Sequence, residues 1–344
     1  MLKEILPGLF VDQVDTGFFG VQTLNYSFIP GKNGSRSLLV DAGLPETVDP
    51  ESRTILLKDL RELNLDPEKL DCIITHTHRD HVGQAHLLNE LGADVYLNPA
   101  DMAVSEEQIN HEILHPQLRK KLFRYIGLEL SSDETYREFW KAADAFTAGF
   151  EDCWKFRWKP LPPGTEVSYG DYHLKTVPLP GHTVGHMGLW EEKKKVLFSG
   201  DVLVHGVTPI VSDSGNYPNA LDDYLDSLRA VKHKYADCLF IPGHGKPFRH
   251  PEEEVDCAVQ NYLDKCSIMY DILRHTEGPL SIRGVAMRAY GRYGKHLTDE
   301  QRSSCILIWF KTSACLQYMQ ERDLVKETVE DGVSLWTAVR ASGT

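Results

Sequence analysis

An α/β layered fold is predicted for this 344-residue chain, and three observations carry the prediction. From Gly8 to Leu97, short apolar runs alternate with a segment of helical period, as in layered α/β proteins. Further on, histidines and aspartates recur just past apolar runs, each beside a glycine, which is where open α/β sheets place their sites. The composition, 42% hydrophobic and 25% charged, is that of an ordinary soluble globular protein.

The elements follow in chain order. Gly8 to Val11, Thr23 to Ile29 and Ser37 to Val40 read as short strands, with a strong loop signal at Pro30-Gly31-Lys32-Asn33-Gly34. Thr54 to Leu63 has apolar residues at 55, 56, 57, 60 and 63, near helical spacing. Cys72-Ile73-Ile74 is a buried strand, Gln84 to Leu91 a helix, and Val95 to Leu97 the next strand. Leu174 to Val177, Lys195 to Phe198 and Cys238 to Ile241 supply later strands. Residues 100–160 interrupt the alternation with a helix-prone insert rich in large rings: Phe123, Tyr125, Tyr136, Phe139, Trp140, Phe146, Phe150, Trp154, Phe156 and Trp158. These rings can form a core of their own or wall an apolar pocket as a lid. Beyond Pro251 a helix spans 252–276, Gly278-Pro279 breaks it, and helices over 281–290 and 298–319 precede a two-stranded turn around Asp331-Gly332. The reading therefore divides the chain into 1–250 and 251–344.

Charge and cysteine usage narrow the function classes. A net charge of −13 opposes non-specific adhesion to nucleic acid or anionic membrane. Arg283, Arg288, Arg292, Lys295 and Arg302 still make one locally basic stretch, by default a solvated helix face. Met1 to Gly8 lacks the apolar core of a signal peptide, and no apolar run approaches the ~18 residues that span a bilayer. The seven cysteines contain no CxxC pair, so reduced thiols and a cytoplasmic setting are expected.

The chemistry concentrates in Thr75-His76-Thr77-His78-Arg79-Asp80-His81. Alternate side chains of a strand share a face, so His76 and His78 can point the same way, with Asp80 and His81 on the following turn. Imidazoles beside a carboxylate suit zinc, iron, nickel or copper, and such a set is costly to bury without a metal or strong hydrogen bonds. Pro180-Gly181-His182-Thr183-Val184-Gly185-His186, Ser199-Gly200-Asp201 and Pro242-Gly243-His244-Gly245 repeat the pattern downstream. A rival motif, His111-Glu112-Ile113-Leu114-His115, matches HExxH. Pro116 would draw His115 out of helical geometry, and the other ligands make the motif redundant.

These motifs resemble those of the metallo-β-lactamase-fold hydrolases over about residues 1–250. The resemblance implies an αββα sandwich carrying the 100–160 helical insert. The mostly helical 251–344 region is similar in pattern to the winged-helix tail of some family members, an RNA endonuclease branch among them. Position by position, His76, His78 and His182 resemble ligands of a first metal. Asp80, His81 and His244 resemble those of a second, and Asp201 resembles the carboxylate that bridges both. Asp41 matches an acid that steadies the metal-site histidines, and His186 falls in an equally supporting position. The lactonase branch often places a tyrosine near the bridging aspartate; here His205 is the nearest polar candidate to donate to an oxyanion.

The resemblance further implies two zinc ions per chain, with iron or manganese also compatible. A water whose pKa coordination lowers to ~7 would attack a thioester, ester or lactone carbonyl. With only the first metal bound, Asp80 would be free to act as general base. The expected partner is a small acyl or aromatic ester or thioester, with no membrane and with a homodimer compatible. Two alternatives stand beside this: RNA phosphodiester hydrolysis through the tail, and a ligand-binding or regulatory protein with little turnover.

Overall fold

The computed structural model describes residues 1–16, 22–102, 116–149, 153–212, 217, 219–291 and 297–339. The chain forms two compact units. The first comprises Met1–Glu106, Ala148–Pro209 and Asp226–Asp256; the second comprises Glu107–Thr147, Ile210–Leu225 and Cys257–Thr344. The middle of the 100–160 insert thus clusters with the C-terminal residues, and its two flanks with the first unit.

Two sheets build the first unit. One runs in the order β1 (Lys3–Leu6), β2 (Leu9–Asp15), β3 (Thr23–Ile29), β4 (Ser37–Val40), β5 (Leu70–Ile73), β6 (Asp94–Leu97) and β7 (Lys159–Pro160). Its first four strands are antiparallel neighbours, and β4 to β7 pair in parallel. The other sheet contains β8 (Glu166–Tyr169), β9 (Tyr172–Pro178), β10 (Met187–Glu191), β11 (Val196–Gly200) and β12 (Leu239–Pro242), in reverse spatial order, with β11 and β12 parallel.

Side-chain alternation along these strands separates two apolar layers. Leu38, Val40 and Ile73 face Leu174, Leu189, Phe198 and Ile241 between the sheets. Leu39, Cys72 and Val95 point to the other side, onto Leu56, Leu60, Ala85 and Leu88. That is why β4 and β5 are buried at every position and show no polar alternation. On the outer side of the second sheet, Tyr235 meets Trp190 with ring centroids 5.3 Å apart, and Ser227, in the helix Ala220–Lys234, donates to the Pro180 carbonyl at 2.7 Å. Helix, sheet, sheet and helix follow one another as layers.

Helix α1 (Pro50–Glu62) starts earlier than its apolar spacing predicts. Asp49 caps it by accepting from the Glu51 N–H, and Pro50 occupies the first turn, where its missing N–H costs nothing. Two short helices, α2 (Arg79–Val82) and α3 (Ala85–Glu90), carry the chain from β5 to β6.

The second unit holds α4 (Pro116–Tyr125), α5 (Asp133–Thr147), and a three-stranded sheet of β13 (Leu280–Ser281), β15 (Val333–Ala338) and β14 (Val325–Glu330). Helices Ile282–Tyr290 and Asp299–Gln320 belong to it as well, capped by Ser281 and Thr298. Its rings pack internally: Trp140 stacks on Tyr136, both meet Phe123 edge-on, and Phe139 meets Trp309. Trp154, Phe156 and Trp158, by contrast, pack against the first unit's outer layer. Phe150 and the HExxH stretch 111–115 lie outside the described residues, as does the Phe146 side chain. Among the described residues no helix is long and apolar enough to cross a membrane.

Candidate metal centre

Most residues of the candidate centre stand just past the carboxyl end of a strand or at the start of the next, while Asp80 and His81 lie in α2 and His182 in the loop between β9 and β10. Asp41 follows β4, His76 and His78 follow β5, His186 immediately precedes β10, Asp201 follows β11 and His244 follows β12. The two sheets are joined there by main-chain bonds, Met187 N–H to Thr75 O at 2.9 Å and Asn25 N–H to Gly243 O at 2.9 Å. Close approach requires glycine at two points. A Cβ at Gly243 would stand 2.5 Å from Asp201 Oδ1, and one at Gly200, whose φ is +49°, would stand 2.6 Å from His186 Nε2.

Three groups of side chains converge. His76, His78 and His182 form one, Asp80, His81 and His244 a second, and His76, His81 and Asp201 a third that links them; within each, the candidate ligand atoms lie within 4.8 Å of one another. Asp201 Oδ2 is 3.1 Å from His244 Nε2, 3.5 Å from His81 Nε2, 3.6 Å from His182 Nε2 and 3.9 Å from His76 Nε2. Asp80 Oδ2 is 3.4 Å from His244 Nε2. All seven residues predicted as ligands are therefore brought together.

Outer contacts decide which ring nitrogen faces inward. Asp41 accepts from His81 Nδ1–H at 2.9 Å, from the Thr75 N–H at 2.7 Å and from the Thr75 hydroxyl at 2.9 Å. That hydroxyl lies 3.1 Å from His76 Nδ1 and can accept its proton. His244 Nδ1–H donates to the Thr23 carbonyl at 2.6 Å. Once Nε2 gives up its proton, His76, His81 and His244 would each turn a lone pair to the cluster, the arrangement in which imidazole binds metals. Asp41 holds its backbone at φ 62°, a left-handed position that aspartate tolerates better than most residues.

The electrostatics are those of buried ligands facing one another. Burial, then the neighbouring rings, hold His76 well below the ordinary imidazole range and His78 down to about 3. Burial disfavours charge on His81 and His244 too, but the facing carboxylates outweigh it and push His81 up to about 10 and His244 well above its usual value. Against burial, His244 and His81 hold Asp201 well below the usual carboxylate range. Asp201 Oδ1 is buried with no hydrogen-bond partner among the described residues. His76 Nε2 lies only 3.0 Å from His78 Nδ1, two nitrogens of largely neutral rings turned toward each other. Five imidazoles and two carboxylates so disposed fit divalent zinc, iron or manganese.

The supporting residues fall in different places. His186 accepts the Asp201 backbone N–H at Nε2, 3.0 Å away, and so orients the linking carboxylate's own peptide. His205 turns to the surface: its side chain is 64% exposed, paired with Glu254 and tilted over Phe248. The Val204–Val207 bridge and Gly206, with φ +73°, carry the chain away there. Of the basic stretch, Arg302 pairs with Glu138 at 2.8 Å and Arg288 donates to the Gly284 carbonyl, while Arg292 and Lys295 lie outside the described residues.

Sequence reasoning passed over Asp101, Asn98 and Asn25, and took Trp154 only as one of the insert's large rings. Trp154 Nε1–H donates to Thr77 O at 2.9 Å, and the Asn25 side chain donates to the carbonyls of Pro242 and Gly245 at 2.8 Å each. An isolated polar residue in a strand, or one just past it, gives no local signal of such a long-range contact.

The comparisons agree with this geometry. The family profile described as the Metallo-beta-lactamase superfamily matches residues 25–244, from the Asn25 anchor to His244. A Beta-lactamase-like protein 2 homolog of Caenorhabditis elegans is 27% identical over 71% of this chain, a match spanning 64% of the worm protein, under two thirds of its length. An acyl-coenzyme A thioesterase of Gallus gallus is 24% identical over 79% of this chain and 87% of its own. A hydroxyacylglutathione hydrolase of Haemophilus influenzae is 28% identical over 55% and 74%. Among solved structures, a metallo-beta-lactamase family protein of Thermus thermophilus superposes with a TM-score of 0.74 over 98% of this chain and all of its own, at 22% identity, which speaks to the fold alone. With sandwich, strand-end cluster and profile in agreement, the chain belongs to the metallo-beta-lactamase superfamily.

Proposed function

We propose that this chain is a metal-dependent hydrolase that cleaves an acyl thioester, with esters and lactones as further carbonyl substrates. The observation that carries the reading is the meeting of two ligand groups on one carboxylate, Asp201. His76, His78 and His182 would hold one divalent ion, Asp80, His81 and His244 a second, and Asp201 would be shared. When bound, such ions supply Lewis acidity and make water nucleophilic at neutral pH. Zinc is the first candidate, with iron or manganese next.

The chain's own residues set up the rest. Asp41 and Thr75 hold Nδ1 of His81 and His76, and the Thr23 carbonyl holds Nδ1 of His244, so these three rings would offer Nε2 to a metal. Asp80 can take up a proton at Oδ2 if only the first group is filled. The thioester preference is supported by two relatives, one named an acyl-coenzyme A thioesterase and the other a hydroxyacylglutathione hydrolase.

Protein purified without chelator, assayed for metal and against acyl-coenzyme A, acylglutathione, lactone and RNA substrates, tests this. About two metals per chain are expected, with thioester cleavage that chelation abolishes and zinc restores. Metal-loaded protein that cleaves none of them would favour a binding role, and RNA cleavage alone would favour the phosphodiester reading.

A further inference from the structure

We infer that Asp101 is a positioning residue that pins together the two loops carrying His76, His78 and His182, so that one metal depends on it and the other does not. The inference rests on the reading that these three imidazoles hold a metal.

Asp101 lies just past β6, is 2% exposed, and belongs to none of the converging ligand groups. Its carboxylate oxygens divide their work between two loops. Oδ2 accepts from the Thr77 N–H at 2.7 Å and from the Thr77 hydroxyl at 3.1 Å. Oδ1 accepts from the Gly185 N–H at 2.8 Å. Thr77 is the residue between His76 and His78, and Gly185 lies between His182 and His186. One carboxylate therefore spans the two chain segments that supply all three members of the first group.

Two further observations show that the contact is built. The Asn98 side chain donates to the Gly185 carbonyl at 2.8 Å, so the residue is held by its N–H and its C=O from the same turn, which the Asp101 N–H to Asn98 O bond closes at 3.0 Å. A Cβ at position 185 would stand 2.3 Å from the Asp101 nitrogen, so only glycine admits this approach. His81 and His244, of the second group, are held by other means, through Asp41 and the Thr23 carbonyl.

Asp101→Asn is the direct probe, because the amide keeps the shape but presents a donor where one of two acceptors is needed. His244→Ala and His182→Ala backgrounds each leave one ligand group intact for competitive zinc titration. In the His244→Ala background, Asp101→Asn should weaken the remaining zinc by about 10–100-fold, the usual cost of losing an outer-shell partner. In the His182→Ala background the same change should move zinc affinity by less than about threefold, and cobalt spectra should follow the same split. Should Asp101→Asn not fold, Asn98→Ala carries the same test with the same asymmetry. Equal losses in both backgrounds, or none with His244→Ala, would overturn the positioning role while leaving the metal reading intact. A wild-type protein that binds no zinc would overturn both.

Discussion

In the unit built from the insert helices and the C-terminal residues, one set of buried polar groups finds partners of opposite kind. The Arg119 guanidinium is buried, pairs with Asp144 and lies 4.9 Å over the Trp140 ring. Trp336 Nε1–H donates to Ser334 at 2.7 Å, Ser334 donates to Glu327 at 2.6 Å, and Tyr125 donates to the same Glu327 oxygen at 3.0 Å. At the strand ends of the other unit, candidate ligands crowd together: His76 Nε2 lies 3.0 Å from His78 Nδ1, four imidazoles surround Asp201 Oδ2, and Asp201 Oδ1 has no hydrogen-bond partner among the described residues. The first arrangement sets donor against acceptor and cation against carboxylate. The second gains most from a guest of positive charge. The contrast separates a structural polar network from a binding one without appeal to pocket shape.

The largest effect should come from removing the shared anion. Asp201→Ala should lose both metals and bring turnover to background, well beyond the ~100-fold ceiling of an outer-shell change, because two neighbouring cations would then repel each other. Elemental analysis beside thioester assays checks this, and a variant with full metal would break the contrast. The double substitution His111→Ala with His115→Ala should leave metal content unchanged.

A smaller loss is expected from Asp41→Asn. The amide tolerates the left-handed backbone but cannot accept from both His81 and Thr75 as the carboxylate does. Metal affinity should fall by about 10–100-fold with the fold retained. Chelator competition and circular dichroism, run together, decide it.

In the other unit the expectation inverts. Arg119→Met keeps the stem over Trp140 and deletes the charge, so urea unfolding should lose about 1–2 kcal/mol while bound metal stays constant. The cost is modest because Asp144, at 59% exposure, regains water. Metal loss in this variant would show that the two polar arrangements are not separable.

These differences also explain how far the residues spoke for themselves. The ligand set was legible because four of its members fall within six consecutive positions and the others follow strand ends with glycine alongside. Asp101 was not, since its bond to Gly185 joins residues 84 apart and its neighbours, Ala100 and Met102, show no chemistry. His205 misled through closeness in sequence to Asp201, before a tight turn carries it outward. Strand β10 is almost uniformly buried, so no alternation betrays it. The helix Ala220–Lys234 does carry a pattern, with Leu221, Tyr224, Leu225, Leu228 and Val231 all buried or nearly so, that a reading focused on strand ends passes over.

The smallest effect tests a third way of keeping like groups together. In the first unit Asp59, fully buried on α1, faces Asp12, and burial followed by the Asp12 charge pushes its carboxyl up to about 7. Here a proton does what a cation would do at the strand ends. The folded protein keeps that proton to about pH 7, whereas the unfolded chain releases it near 3.9. Between those values the folded state binds more protons, so stability from this group is present below about pH 4 and is lost as pH rises toward 7. Lys58 offsets part of the cost and Glu62 adds to it. Asp59→Asn should remove the pH dependence and stabilise the protein at neutral pH by on the order of 1 kcal/mol, once screening is allowed for. Melting temperatures of wild type and variant from pH 4 to 8 give the answer. Curves that stay parallel across the window would mean that Asp59 is already ionised, and that the first unit tolerates an unpartnered buried charge away from its candidate metal centre.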